Sequence, residues 1–106
     1  MIIFNETINI DDSVHQQWLT WMRETHIPNV LATNAFSGAK MVKVLVEEEM
    51  GGQTYSLQYA TDSLETLRAF QREHAPRLER EALIKFADKM LVFRTELQLV
   101  EEFTKA

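Results

Sequence analysis

Three histidines, one carboxylate out of pattern and four aromatic side chains are the groups in this 106-residue chain that could carry chemistry. His26 ends a helical stripe two residues before Pro28. A helix C-terminus favours a protonated imidazole, so His26 is a candidate general acid or base at a pocket mouth. Its structural alternative is a bond to a carbonyl freed by Pro28, or packing beside Met22. His74 stands two residues before Pro76, inside a second apolar stripe. It reads as a pocket residue or as a hydrogen-bonded histidine at a kink. His15 lies about three helical turns, roughly 16 Å, from His26. The two cannot share a metal from one straight helix, and His15 reads as a surface residue of a first turn.

Glu6 has the parity of Ile2, Phe4, Ile8 and Ile10, the apolar side of a strand. A carboxylate there is costly unless it is paired, or beside water or a ligand. The expectation is that Glu6 points into a cavity between sheet and helices with a raised pKa. A local bulge or a snorkelling side chain is the plainer alternative. Trp18, Trp21, Tyr55 and Tyr59 line an aromatic pocket or fill the core. The pocket expected from these residues is Glu6, Trp18, His26, Tyr55, Tyr59 and His74.

Much chemistry is excluded. The chain has no cysteine, which removes disulfides, zinc thiolates, iron–sulfur clusters and thiol catalysis. Its only glycines are Gly38, Gly51 and Gly52, so no glycine-rich loop cradles a phosphate. There is no nucleophile elbow around a serine and no His-Glu-x-x-His helix. The run Glu47-Glu48-Glu49 reads as a solvated end rather than a calcium loop. No metal and no cofactor are expected. A net charge of −5 argues against nucleic acid as a partner. Arg68, Arg72, Arg77, Arg80 and Lys85 alternate with Glu65, Glu73, Glu79 and Glu81, as on a solvated helix face. The N-terminus lacks the pattern of an export signal, and no apolar run approaches the ~20 residues of a membrane span. A cytoplasmic location is the expectation.

The elements that must position these residues follow from periodicity. Ile2 to Ile10 alternates as a strand. Ser13 with Gln16 fits a capping box for a first helix, whose stripe is Val14, Trp18, Trp21, Met22 and Thr25. Pro28 ends or kinks it, and Pro28 to Ala32 can add a turn. Lys40 to Glu49 and Thr54 to Ala60 read as a hairpin across Gly51-Gly52. Asp62 with Glu65 opens a second helix along Leu67, Phe70, His74, Leu78, Ala82 and Phe86, interrupted at Pro76. A last strand spans about Lys89 to Val100, with Leu91, Phe93 and Leu97 expected toward the helices and Arg94 and Glu96 away from them. The tail from Glu101 to Ala106 is expected to be ordered only by a neighbour.

This order, β-α-β-β-α-β over one domain at residues 1–106, is α+β and ferredoxin-like. Both helices should cover one face of a four-stranded antiparallel sheet. The opposite face, with Asn5, Thr7, Gln58, Arg94 and Glu96, is a candidate dimer surface, where Arg94 and Glu96 could form reciprocal pairs.

The segments Trp18-Leu19-Thr20-Trp21-Met22, His26-Ile27-Pro28-Asn29-Val30-Leu31-Ala32-Thr33, Thr54-Tyr55-Ser56-Leu57-Gln58-Tyr59, His74-Ala75-Pro76-Arg77-Leu78 and Phe93-Arg94-Thr95-Glu96-Leu97 resemble a bacterial family of small proteins of unknown function. That family in turn resembles the dimeric α/β barrel superfamily, whose two ferredoxin-like protomers pack sheet to sheet. The resemblance implies a homodimer and no particular activity. Some haem-degrading members of the superfamily use Asn, Trp and His together. This chain has Asn5 but no Trp on its second helix, so that triad is not carried over.

Three functions are consistent with these residues. The first is a small dimeric protein binding a small molecule between sheet and helices. The second is a non-catalytic structural or interaction dimer. The third is a cofactor-free monooxygenase-like or isomerase-like enzyme. A pocket filled by Trp18, Phe70 and Leu78 would count against the first. The sequence names no substrate.

Overall fold

Alternation of apolar and polar residues makes β1 (Ile2–Ile10) and turns Phe4, Ile8 and Ile10 into the core. The structure, a computed structural model, describes residues 1–46 and 51–106. Glu47 to Glu49, expected as a solvated end, lie outside the described residues.

The chain leaves β1 through a 3₁₀ turn at Asp12–Val14. The cap is Asp11, whose carboxylate accepts from the Ser13 amide at 2.9 Å; Ser13 was the expected cap. A carboxylate suits the positive end of a helical turn. The first helical arm then runs as α1 (His15–Trp21), a π-helical turn (Met22–His26) and α2 (Ile27–Leu31), with Pro28 in the first turn of α2. The wide turn has a geometric effect. Residues spaced by four drift about 40° per step around an α-helix. Trp18 and Val30 would then stand about 120° apart. Yet Trp18, Met22, His26 and Val30 are all buried. One turn wound more loosely than α resets the stripe, so that all four face the sheet.

The hairpin pairs β2 (Gly38–Lys43) with β3 (Gln53–Thr61). Gly51 and Gly52 have φ of 80° and 83°, the left-handed region that glycine enters without a Cβ penalty. At Gly52 a Cβ would also lie 2.8 Å from the Ile10 carbonyl oxygen and from Asn9 Oδ1. The second arm is α3 (Leu64–Glu73) followed by α4 (Ala75–Phe86). Its cap is Ser63, accepting from the Thr66 amide at 3.1 Å, one residue after the expected Asp62. His74 leaves helical geometry at φ −125°, and Pro76 lies in the first turn of α4. The missing proline N–H and the restricted residue before it explain the break. A 3₁₀ turn at Ala87–Lys89 leads to β4 (Met90–Gln98).

The strand order is β2-β3-β1-β4, with every neighbouring pair antiparallel. The helical arms cover one face. Phe4, Phe36, Tyr59 and Phe70 meet there at ring separations of 4.8 to 6.4 Å. The expected barrel is corrected. The sheet is open: its ladders stop at β2 on one side and β4 on the other, and no ladder joins these edges among the described residues. The fold is thus α+β and ferredoxin-like, not a closed barrel.

The faces of β4 are also corrected. Opposite Ile8, Glu6, Phe4 and Ile2 of β1 stand Val92, Arg94, Glu96 and Gln98. Residues directly opposite share a face. Arg94 and Glu96 therefore lie on the helix side. Leu91, Phe93 and Leu97 lie on the outer side, 52%, 70% and 44% exposed. Expecting the apolar parity inside failed because the outer face of this strand is the more apolar one.

Among the described residues no helix is long and apolar enough to cross a membrane.

Candidate functional site

The two helical interruptions meet over the middle of the sheet. The π-helical turn supplies His26, and Val30 follows from α2. From the other arm come Phe70 of α3 and Ala75, Leu78 and Glu79 at the start of α4. Below them β1 contributes Phe4 and Glu6, and β3 contributes Tyr59. Together these residues line a cavity of about 20 Å³. That is slightly more than the ~10–15 Å³ needed for one water. Trp18, Phe70 and Leu78 are buried in the core between sheet and helices.

Three polar groups converge on this cavity. His26 Nδ1 and Tyr59 Oη are buried with no hydrogen-bond partner among the described residues. Such groups are uncommon in a folded chain, because an unmet buried donor or acceptor costs about 1–3 kcal/mol. Glu6, the third, has a side chain only 12% exposed. Arg94 Nε donates to Glu6 Oε2 at 2.9 Å. Arg94 Nη2 also stands 3.3 Å from Glu79 Oε1. The guanidinium thus ties β4 to β1 and to α4.

Their protonation is set by burial. Desolvation raises the Glu6 pKa; Arg94 opposes this and the nearby Glu79 adds to it. Desolvation lowers His26 to about 4, so its imidazole is neutral at pH 7. Burial, and then the Glu6 charge, raise the Tyr59 phenol above its ordinary value. A neutral imidazole, a phenol that keeps its proton and a carboxyl with a raised pKa can orient a hydroxyl or carbonyl group. They can also pass a proton to or from it.

The six expected pocket residues do not form one site. Glu6, His26 and Tyr59 line the cavity. Tyr55 hydrogen-bonds His15 Nε2 at 2.6 Å and packs on Trp18 at 5.1 Å between ring centres. His15 is therefore tied to the sheet through Tyr55. His74 faces a shallow groove with Thr33 and Arg77; its Nδ1 and Trp18 Nε1 also lack partners among the described residues. Trp21 stacks on His26 at 4.7 Å and helps fix that ring. Of the expected dimer-face residues, Asn5, Thr7 and Gln58 point outward. There Ser56 Oγ donates to Asn5 Oδ1, Asn5 Nδ2 to Thr7 Oγ1 and Gln58 Nε2 to Ser56 Oγ. Glu96 is instead held on the helix side by Arg68, whose two nitrogens donate to its oxygens at 2.6 and 2.8 Å.

Sequence reasoning missed Glu79 at this cavity and Arg94 as the partner of Glu6. The available signal was Glu6 itself, because a carboxylate facing helices needs a cation and β4 carries Arg94. Among the described residues no group of three or more His, Cys, Asp or Glu is placed to hold a metal ion.

No curated protein matches the sequence. Solved structures match the fold. A dimeric ferredoxin-like protein from an uncultured marine organism aligns with a TM-score of 0.74 at 8% identity, covering 96% of this chain and 97% of its own. A second dimeric ferredoxin-like protein from an uncultured marine organism has a TM-score of 0.66 at 16% identity, covering 98% of each chain. An ethyl tert-butyl ether d (EthD) family protein from Bacillus halodurans C-125 has a TM-score of 0.64 at 18% identity, covering 94% of this chain and all of its own. At these identities the likeness is one of fold alone. Sequence places the chain more closely: over residues 1–100 it matches the family described as Domain of unknown function (DUF4286), and it belongs to that family.

Proposed function

We infer that this protein binds a small molecule at the Glu6–His26–Tyr59 cavity and works as a homodimer. One observation carries the binding reading: two buried polar atoms, His26 Nδ1 and Tyr59 Oη, without hydrogen-bond partners among the described residues, at a cavity that also holds a poorly solvated carboxyl. The size of the cavity limits what enters it. A hydroxyl or carbonyl group fits, and the rest of such a ligand extends toward Arg94 and Glu79. Binding larger groups requires the helical arms to part at the π-helical turn and at His74, the two places where helical regularity already fails. A cytoplasmic setting belongs to the same reading; the cysteine-free composition asks for no oxidising compartment.

The outer sheet face supports self-association. A quarter of the chain is charged, yet among the described residues Lys40 is the one charged side chain that the register places on this face. Depletion of charge beside exposed Leu91, Phe93 and Leu97 is the composition of an interface core. Two of the structural relatives are themselves dimeric ferredoxin-like proteins.

Native mass spectrometry of the protein as purified tests the binding reading. The expected result is an additional small mass on the wild type that is absent from His26→Gln and Tyr59→Phe. If the wild type carries none, a library of small hydroxy and keto compounds followed by NMR is the second test. Signals of residues 6, 26 and 59 that stay unmoved throughout would reject the reading. The filling of the interior by Trp18, Phe70 and Leu78 favours a second reading, a dimer with an interaction role and no ligand. That same negative result would support it.

A further inference from the structure

The segment after β4 runs along one end of its own sheet. The Leu99 amide donates to the Met1 carbonyl at 2.9 Å, which carries the chain past the end of β1. Glu102 then faces Gly38 and Lys40 on β2, at the far edge of the sheet. Beneath this path lies a largely apolar space of about 350 Å³, walled by Met1, Ile3, Ala60 and Leu99. Val100 and Phe103 point away from it, 92% and 82% exposed. No regular structure holds residues 99–106. Two apolar side chains on an unsupported segment gain nothing in the single chain.

We propose that residues 99–106 form an arm that closes over a second copy of this chain, burying Val100 and Phe103 of each copy on the other. The proposal rests on self-association through the outer sheet face, and three observations choose that occupant. The first is area. Three strands of nine residues and one of six, about 4.8 Å apart, present roughly 520 Å² in projection. A standard interface buries ~800 Å² of accessible surface per partner, and exposed Val100 and Phe103 add apolar surface to what the sheet offers. The second is charge. The outer face offers Lys40, which Glu102 of the same chain faces, and the arm carries a further exposed carboxylate, Glu101. In a twofold assembly each copy presents both signs to the other, as an isologous contact requires. The third is shape. The chain is 21 Å across its thinnest direction, and its radius of gyration is 14.5 Å. A compact chain of this length has about 13 Å. Helices cover one face of the sheet, and the arm stands at the rim of the uncovered one.

Sedimentation equilibrium of three full-length proteins tests this. They are the wild type, Phe93→Asp, and Val100→Ser with Phe103→Ser. All three altered residues are exposed in the single chain, and unchanged far-UV circular dichroism confirms that the variants fold. The expected result is a wild-type dimer, a Phe93→Asp monomer, and a dissociation constant raised at least tenfold by the paired arm substitutions. An arm variant that dimerises within twofold of the wild type, while Phe93→Asp is monomeric, overturns the arm and leaves the sheet interface standing. A wild type that stays monomeric at 100 µM protein overturns both.

Discussion

Glu6 and Arg94 stand opposite each other in the β1–β4 register and are joined at 2.9 Å, so the carboxylate that breaks the apolar pattern of β1 finds its cation on the neighbouring strand. The pair is asymmetric. Glu6 is nearly enclosed, whereas Arg94 is 40% exposed and also reaches Glu79.

Removing the cation alone leaves a poorly solvated carboxylate behind. Arg94→Met is expected to lower stability by about 2 kcal/mol, less than for a fully buried pair because Arg94 is partly solvated. Glu6→Gln with Arg94→Met should recover part of that loss. Urea unfolding of the four proteins in a double-mutant cycle measures the coupling, and strictly additive losses would contradict it.

His26 makes the fold sensitive to acid. Its folded pKa of about 4 lies below the ordinary 6.5, so the unfolded chain takes up the proton first. The stabilising effect of the neutral ring is complete above pH 6.5 and is lost as pH falls toward 4, about 3 kcal/mol in total. Glu6 acts with the opposite slope. Its pKa is raised in the folded state, so its cost appears only as pH rises above the unfolded value near 4.5. Thermal melts of the wild type and His26→Gln between pH 4 and 7 check this. The two curves should converge toward acid.

Glu96 behaves differently because it is solvated. The Arg68 fork, with Gln71, lowers its pKa to about 2. Carboxyl NMR titration should find Glu96 ionised below pH 3 in the wild type and near the ordinary carboxylate range in Arg68→Ala. Stability should change little, since exposed pairs contribute weakly.

At the hairpin, Gly52→Ala is expected to cost about 1–3 kcal/mol. It combines a positive φ with a Cβ 2.8 Å from the Ile10 carbonyl oxygen. Gly38→Ala is the control, because a Cβ there meets nothing within 4 Å. Parallel denaturation curves that shift equally for both would contradict the steric account.

How much of this was legible in the sequence depends on how local the signal was. Ile2 to Ile10 could be read to the residue because apolar side chains recur at Ile2, Phe4, Ile8 and Ile10 and Asp11 ends the run. The breaks near Pro28 and Pro76 were legible because proline acts on its own backbone. Glu6 could be singled out because a charge in an apolar parity is a local anomaly. Arg94 and Phe93 were misplaced for a different reason. On a strand with apolar residues in both parities, Val92 in one and Leu91, Phe93 and Leu97 in the other, periodicity does not say which side meets the helices. Register with β1 decides it, and register is a long-range property. His74 and Tyr55 were likewise grouped with His26 by residue type. The break at His74 leaves that ring on a groove with Thr33 and Arg77, while Tyr55, on β3, is bonded to His15.

The π-helical turn also bears on how this sequence can vary. Trp18, Met22, His26 and Val30 all reach the sheet only because one turn between them holds more chain than an α-helix would. What must be preserved between Trp18 and Val30 is therefore a length as much as a set of side chains. Exposed Arg23 and Glu24 can be exchanged for other residues without moving this stripe. Deleting either one would tighten the turn and force His26 or Val30 off the sheet, so this arm should accept substitution far more readily than insertion or deletion.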